Sequence, residues 1–318
     1  MSAGDLTLLR LMLQARRFDE QVLRMADRID GHHHVSHGLE ASAAALGLVR
    51  HEGDLVATNY RNHAHLICLG HDPALMLAEI LGRPVAPQLG RAGSMHLAAP
   101  ELGVLYTSAM VAGGVPQSLG YALALKRSGA GVSFCLFGDG ALEEGVAHES
   151  LNLAMLWALP VVFVCENNAG EDSPSLTAVA EAHGVRAAVA DGRRPREVVS
   201  ALRDAAGHTR DTLTPSFLEV RSAEWPGNAA FFPKDVTGPT DLSAAAAQSG
   251  SPWYDADDPV LAEARELLAE GVPAERLQAV EAEVTAEIEA AAEHALTAAP
   301  ASASLAEVAH SDVWAARP

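Results

Sequence analysis

Val132-Ser133-Phe134-Cys135-Leu136-Phe137, broken by Gly138-Asp139-Gly140, and then Val161-Val162-Phe163-Val164-Cys165, halted by Glu166-Asn167-Asn168, form the stretch that decides the fold. Each apolar run is short, unbroken and bounded by polar residues, the pattern of a strand buried on both faces. Residues 141–158 between them read as a helix, closed by Leu159-Pro160. Strand, helix, strand is a βαβ unit, which predicts two parallel strands that are neighbours or near neighbours in the sheet. The fold class expected is therefore α/β, a parallel sheet flanked by helices. One domain over residues 1–318 is expected, with a further strand at Ser216 to Arg221.

Toward the N-terminus, Leu8, Leu11, Met12, Ala15, Phe18, Val22 and Met25 recur at helical spacing among charged residues, which predicts an amphipathic helix over 6–28. A Gly/His-rich turn from Gly31 to Gly38 precedes an Ala-rich helix from Glu40 to Val49. Asp72 and Pro73 are suited to the N-cap and first position of another helix. Residues 84–115, rich in Gly, Pro and Ser, read as an extended loop of a length that usually carries function. Residues 222–257 read as a flexible loop. A closing helix over about 258–297 presents Leu277, Val280, Val284 and Ile288 on one face and glutamates on the other, a solvated face. No internal repeat interrupts this order.

The 318 residues hold 49% hydrophobic and 20% charged residues, ordinary for a globular chain. Lys and Arg number 22 against 41 Asp and Glu, a net charge of −19. That field repels nucleic-acid backbones and anionic membrane surfaces, so neither is an expected partner. Cys68, Cys135 and Cys165 lie far apart with no C-x-x-C pair, which speaks against a disulfide framework and for a reducing cytoplasm. The first residues mix Asp5, Arg10, Arg16 and Arg17 into their apolar stretch, unlike a signal peptide, and no run is long enough to span a membrane.

Ligands of open parallel sheets sit beyond the carboxyl ends of the strands. Asp139 and Asn167-Asn168 occupy such ends in one βαβ unit. A carboxylate and an amide oxygen there are hard ligands suited to Mg²⁺ or Ca²⁺, and Mg²⁺ completes its shell with water and substrate phosphates. Gly140 leaves room for a phosphate, and Ala141 is expected to open a helix whose N–H groups attract anions. The plainer alternative is a tight Gly-Asp-Gly turn and an Asn-Asn strand cap.

Gly138-Asp139-Gly140, a helix and then Asn167-Asn168 resembles the thiamine diphosphate signature. The surrounding segment resembles the alpha subunit of the 2-oxo acid dehydrogenase decarboxylating component, the pyruvate, branched-chain and acetoin type. The likeness runs from about residue 6 to 297. It includes His34-x-x-x-Gly38-Leu39-Glu40-Ala41, Asn59-Tyr60-Arg61-Asn62-His63, Gly93-Ser94-Met95-His96, Val115-Pro116-Gln117 and Leu156-Trp157-x-Leu159-Pro160. The resemblance implies that Asp139, the Asn168 side chain and the Gly170 carbonyl bind Mg²⁺. It implies that Gly140 and Ala141 cradle the diphosphate with Tyr60 and Arg61, and that Ala109 and Val111 hold the aminopyrimidine through backbone groups. His63 and His96 would line the active-site entrance as catalytic residues, against the alternative of plain loop imidazoles. A beta subunit would supply the glutamate that activates the cofactor, in an α2β2 assembly acting on a small 2-oxo acid, with a lipoyl acyltransferase as a further partner.

The sequence departs from that pattern after Arg221. Glu224 stands where the family carries an Arg, and Asn228 where it carries a catalytic His. The stretch from Asn168 to Asp191 is also short and holds the acidic pair Glu171-Asp172. Asn cannot carry a proton, so acid–base work at position 228 is lost. Transfer to a lipoyl arm is then in question. Two alternatives stand beside the dehydrogenase: acyloin-type carbon–carbon ligation, and a non-catalytic scaffold or regulator. His32-His33-His34 and His37 offer poor geometry for a shared metal and fit a loop packed near the entrance.

Overall fold

The two decisive runs form β3 (Ser133–Gly138) and β4 (Val161–Asn167), paired in parallel from Ser133 against Val161 to Gly138 against Glu166. The structure, a computed structural model, describes residues 4–169, 174–223, 242 and 257–299. Four more strands complete the sheet: β1 (Leu55–Asn59), β2 (Val104–Ser108), β5 (Arg186–Asp191) and β6 (Ser216–Arg221). Their order is β2-β1-β3-β4-β6-β5, and every pairing is parallel. The expected α/β class, a parallel sheet between helices, is what the chain forms.

Side chains alternate across the sheet as the two-residue period of a strand requires. Phe134 and Leu136 of β3 point into one core; Cys135 and Phe137 point into the other. The larger core is covered by α1 (Thr7–Arg24), α2 (Glu40–Val49), α3 (His63–Cys68), α4 (Pro73–Ile80), α8 (Pro195–Thr212), α9 (Pro259–Ala269) and α10 (Ala274–Thr297). The smaller is covered by α5 (Gly114–Ser128), α6 (Gly145–Leu156) and α7 (Thr177–Ala182), where Phe137 meets Phe163 and Phe217 at ring-centroid distances of 6.4 and 6.3 Å. Helices on both faces are why β4 is buried along its whole length and reads as an apolar run.

Several expectations need correction. Residues 84–115 are not one extended loop: Val104–Ser108 is the edge strand β2, and α5 begins at Gly114. A five-residue edge strand with Leu105 exposed and Tyr106 half-buried leaves no apolar run to read. The segment before it is shaped by buried Glu79, which accepts from the backbone N–H groups of Gln88 and Ala92 at 2.9 and 2.8 Å. The helix expected over 141–158 is α6 alone. Residues 139–143 form a 3₁₀ turn, and extended Glu144 separates it from the helix. Ala141 therefore does not open an α-helix.

Asp72 caps α4 as expected, accepting from Ala74 and Leu75 N–H at 2.7 and 3.3 Å. On α1 the charged residues do not all face water. Arg16, 1% exposed, lies between Glu40 of α2 and Asp258, which caps α9, at 2.5 and 3.1 Å. The glutamates of α10 are likewise not a purely solvated face, since Glu281 and Glu283 pair with Arg17 and Arg10 at 2.5 and 2.9 Å. The expected loop 222–257 lies outside the described residues save for 222, 223, 242 and 257.

Candidate active site

From β1 the chain leads to β2 on one side of the sheet; from β3 it leads to β4 on the other. The neighbouring strands β1 and β3 therefore send their outgoing loops apart, and a crevice opens between their carboxyl ends. A cleft of about 160 Å³ occupies this point. Its floor and walls come from Leu39 before α2, Thr58 to Arg61 at the end of β1, Leu136 to Ala141 at the end of β3, Glu166 and Asn168 at the end of β4, and Ser108 with Met110 to Gly114 where β2 leads into α5.

Asp139 follows Gly138, and Gly138 faces Glu166 in the β3–β4 register. Glu166 and Asn168 are two apart, so both turn toward the same cleft. Asn167 turns the other way and donates its Nδ2–H to Glu219 Oε1 at 2.9 Å. The acid and amide singled out from sequence thus line one cleft from adjacent strand tips. At Gly140 an added Cβ would meet nothing within 4 Å, which leaves open space beside the Asp139 turn.

Tyr60 and Arg61 reach the cleft from β1. Asn59 Oδ1 accepts from Arg61 N–H at 2.7 Å, and Arg61 Nη1 donates to the Val35 carbonyl at 2.9 Å. Burial holds the Arg61 guanidinium below its ordinary value, against the pull of Tyr60, Asp19 and Glu166. Elsewhere in the lining Ser108 Oγ bridges the N–H and carbonyl of Met110 at 3.1 and 3.2 Å, folding a tight turn. Met110 is 73% and Val111 48% exposed at the rim, and Ala112 holds a left-handed φ of 58°. Such backbone strain clusters at functional sites. Of the two backbone candidates here, Val111 lines the cleft and Ala109 lies in the turn before it.

The two histidines fall elsewhere. His63 is fully buried, with Nδ1 at 2.7 Å from Asp19 Oδ1, Nε2 at 2.9 Å from Ser94 Oγ and its ring edge-on to Phe18. His96 is exposed on the loop that Ser94 anchors, and its carbonyl accepts from Gln88 Nε2 at 2.9 Å. Neither borders the cleft. Gly170, Glu171 and Asp172 lie outside the described residues, as do Glu224 and Asn228.

Sequence reading missed Thr58 and Glu166. Glu166 is buried; its Oε1 accepts from Ser42 Oγ and from His65 Nε2, the latter at 2.9 Å. His65 Nδ1 in turn accepts from Thr58 Oγ1 at 2.7 Å. Among the described residues, Glu166 Oε2 has no hydrogen-bond partner. The signal was a glutamate at the end of an otherwise apolar strand, a residue rarely buried without purpose. Of the His-rich turn, His34 packs against the Tyr60 ring, tilted by 55° with centroids 4.8 Å apart, and no cluster of three or more His, Cys, Asp or Glu able to hold a metal occurs among the described residues.

The model of one protein family, the dehydrogenase E1 component, matches residues 9–223. This chain belongs to that family. Its relatives include the alpha subunit of the pyruvate dehydrogenase E1 component of Rickettsia prowazekii, 33% identical over 230 residues, or 69% of this chain and 71% of that one. The alpha subunit of an acetoin:2,6-dichlorophenolindophenol oxidoreductase of Bacillus subtilis is 36% identical over 220 residues, 65% and 66% of the two chains. The pyruvate dehydrogenase E1 alpha subunit of Zymomonas mobilis is 31% identical over 299 residues, 90% of this chain and 82% of that one. The E1 family span includes every strand of the sheet and every residue of the cleft.

Proposed function

We propose that this chain is the alpha subunit of a heteromeric thiamine diphosphate- and Mg²⁺-dependent enzyme that decarboxylates a 2-oxo acid and passes the acyl group to an acceptor, as a dehydrogenase does. One observation carries this reading: Asp139 and Asn168 face a single cleft at the tips of paired strands in a member of the E1 component family.

The residues fit the cofactor. Asp139 and Asn168 are the hard oxygen donors that Mg²⁺ takes, with the Gly170 carbonyl as the third protein ligand. The space at Gly140 and the backbone of Ala141 receive the diphosphate, and the Arg61 guanidinium, beside Tyr60, matches phosphate oxygens in paired hydrogen bonds. Backbone groups of Ala109 and Val111 hold the aminopyrimidine on the apolar wall. When bound, thiamine diphosphate supplies the carbanion chemistry by which a 2-oxo acid loses carbon dioxide. This chain binds and orients it. His96 is the entrance histidine, and His63, locked between Asp19 and Ser94, fixes the loop that carries it.

A partner completes the site in this reading. The cleft, about 160 Å³, is smaller than the ~300 Å³ at which pockets enclose a drug-sized molecule. Met110 and Val111 stand exposed at its rim. A beta subunit closing over them would supply the activating glutamate, in an α2β2 assembly. Three buried free cysteines suit a reducing cytoplasm, and no helix among the described residues is long and apolar enough to cross a membrane.

The test is to co-purify the chain with its beta-like partner, titrate thiamine diphosphate and Mg²⁺ by calorimetry, and assay decarboxylation of several 2-oxo acids. Asp139→Ala should abolish cofactor binding; unchanged affinity overturns the site. Product analysis with a lipoyl acceptor and with an aldehyde acceptor separates the dehydrogenase from carbon–carbon ligation, the alternative that Glu224 and Asn228 raise.

A further inference from the structure

Three segments, one of which lines the cleft, converge on one carboxylate outside it. Asp19 of α1 is 1% exposed. Its Oδ2 accepts from the Ser36 N–H at 2.5 Å, and its Oδ1 accepts from His63 Nδ1 at 2.7 Å. With Nδ1–H donated to Asp19, His63 Nε2 is left to accept from Ser94 Oγ, 2.9 Å away. The turn 31–38, the segment 59–63 and the loop 93–96 are thereby tied to α1 through a single side chain.

Ser36 carries this constraint to Arg61 twice. Its own Oγ donates to the Arg61 carbonyl at 3.1 Å, and the carbonyl of the preceding Val35 accepts from Arg61 Nη1 at 2.9 Å. Ser36 therefore bears on both the backbone and the guanidinium of Arg61, alongside Asn59 Oδ1, which accepts from the Arg61 N–H, and Tyr60, and Asp19 holds Ser36. Asp19 also lies close enough to favour the charged guanidinium electrostatically, against its burial. A long side chain that must meet a diphosphate with paired hydrogen bonds gains from being fixed beforehand, because the entropy of ordering it is then not lost on binding.

We propose that Asp19 is the positioning residue for Arg61: through Ser36 and His63 it holds the loop geometry that presents the guanidinium to the diphosphate of the cofactor. This rests on the proposed function, in which Arg61 contacts that diphosphate. Asp19 touches neither cofactor nor substrate. Its effect passes through Arg61.

A double-mutant cycle on the alpha–beta complex tests it, with Mg²⁺-thiamine diphosphate titrated calorimetrically against wild type, Asp19→Asn, Arg61→Ala and the double variant. Asn keeps the shape but cannot accept from both donors. Asp19→Asn should weaken binding roughly 10-fold, the scale of losing a group that orients a ligand-holding residue. In the Arg61→Ala background the same change should cost less than about threefold, because coupled residues do not add. In turnover the loss should fall mainly on the cofactor's KM rather than on kcat, a split that general destabilisation does not produce. Ser36→Ala, which removes only the Oγ link, should move in the same direction by less and serves where Asp19→Asn does not fold. An Asp19→Asn affinity equal to wild type, beside a weakened Arg61→Ala, overturns the inference and leaves the proposed function standing. A full Asp19 effect persisting without Arg61 overturns it too. If Arg61→Ala itself binds like wild type, the assignment of Arg61 falls, and this inference with it.

Discussion

Asn167 donates its side-chain amide to Glu219 across the β4–β6 pair at 2.9 Å, and so the second asparagine of the pair, Asn168, is the one that faces the cleft. Burial pushes the Glu219 carboxyl up, but hydrogen bonds from Asn167, Arg221 and the Leu176 N–H outweigh it and hold it below its usual range. The same Asn167 accepts from the Ala169 N–H at 3.1 Å, which shapes the chain immediately after Asn168. Adjacent and chemically identical residues thus face different surroundings.

The contrast is measurable. Asn167→Ala strips a donor from buried Glu219 and should cost about 1–3 kcal/mol in urea unfolding. Asn168→Ala, at a half-buried position, should change stability by only about 0.5 kcal/mol while weakening Mg²⁺-thiamine diphosphate in calorimetry. The reverse pattern would mean that Asn168 is the structural residue.

Gly140→Leu offers a block without a fold defect. An added Cβ meets nothing within 4 Å and Gly140 has no left-handed φ, so thermal unfolding should stay near wild type. Cofactor binding should disappear because the leucine occupies the room assigned to the diphosphate. Retained affinity in a folded variant would place the cofactor elsewhere.

His37 makes stability fall with acid. Burial first, and the Arg16 charge second, hold its imidazole below its ordinary value, with Asp19, Glu40 and Glu20 opposing. The unfolded chain then takes up a proton near its ordinary pKa of 6.5 while the folded chain resists. The stability is fully present above that pH and is lost as pH falls below it, by at most about 1.4 kcal/mol per pH unit. Unfolding temperatures from pH 7.5 to 5 should decline in wild type and decline less in His37→Asn. Parallel curves would remove His37 as the cause.

Arg16→Met should be among the most damaging single changes. It leaves Glu40 and Asp258 buried without their cation, although Glu40 Oε2 still accepts from Gly38 N–H at 2.9 Å and Asp258 still caps α9. Stranding buried charges of this kind costs roughly 3–5 kcal/mol. A loss below about 1 kcal/mol in denaturant titration would show that the acids find other donors.

Much of the candidate cleft was legible because its residues stand where periodicity breaks. β3 and β4 announce themselves as apolar runs, and Asp139 and Asn168 are the polar residues that end them. β1, ending in Thr58 and Asn59, and the edge strand β2 have no such run, since one end of each meets the cleft or solvent. Arg16 and Asp19 on α1 look like a wetted helix face. Their partners, Glu40, Asp258, His63 and Ser36, come from distant segments, so nothing local marks them as buried.

The amino-acid order alone determined the parallel βαβ core, the family, and the acid and amide at its strand tips, because burial on both faces and loop chemistry are local properties of a chain. Tertiary structure alone decided which asparagine faces the cleft, that His63 is locked away from it, and that Asp19 and Arg61 share Ser36 as a hydrogen-bond partner. Those outcomes depend on which distant groups meet in a water-poor interior, where each donor and acceptor must find its partner.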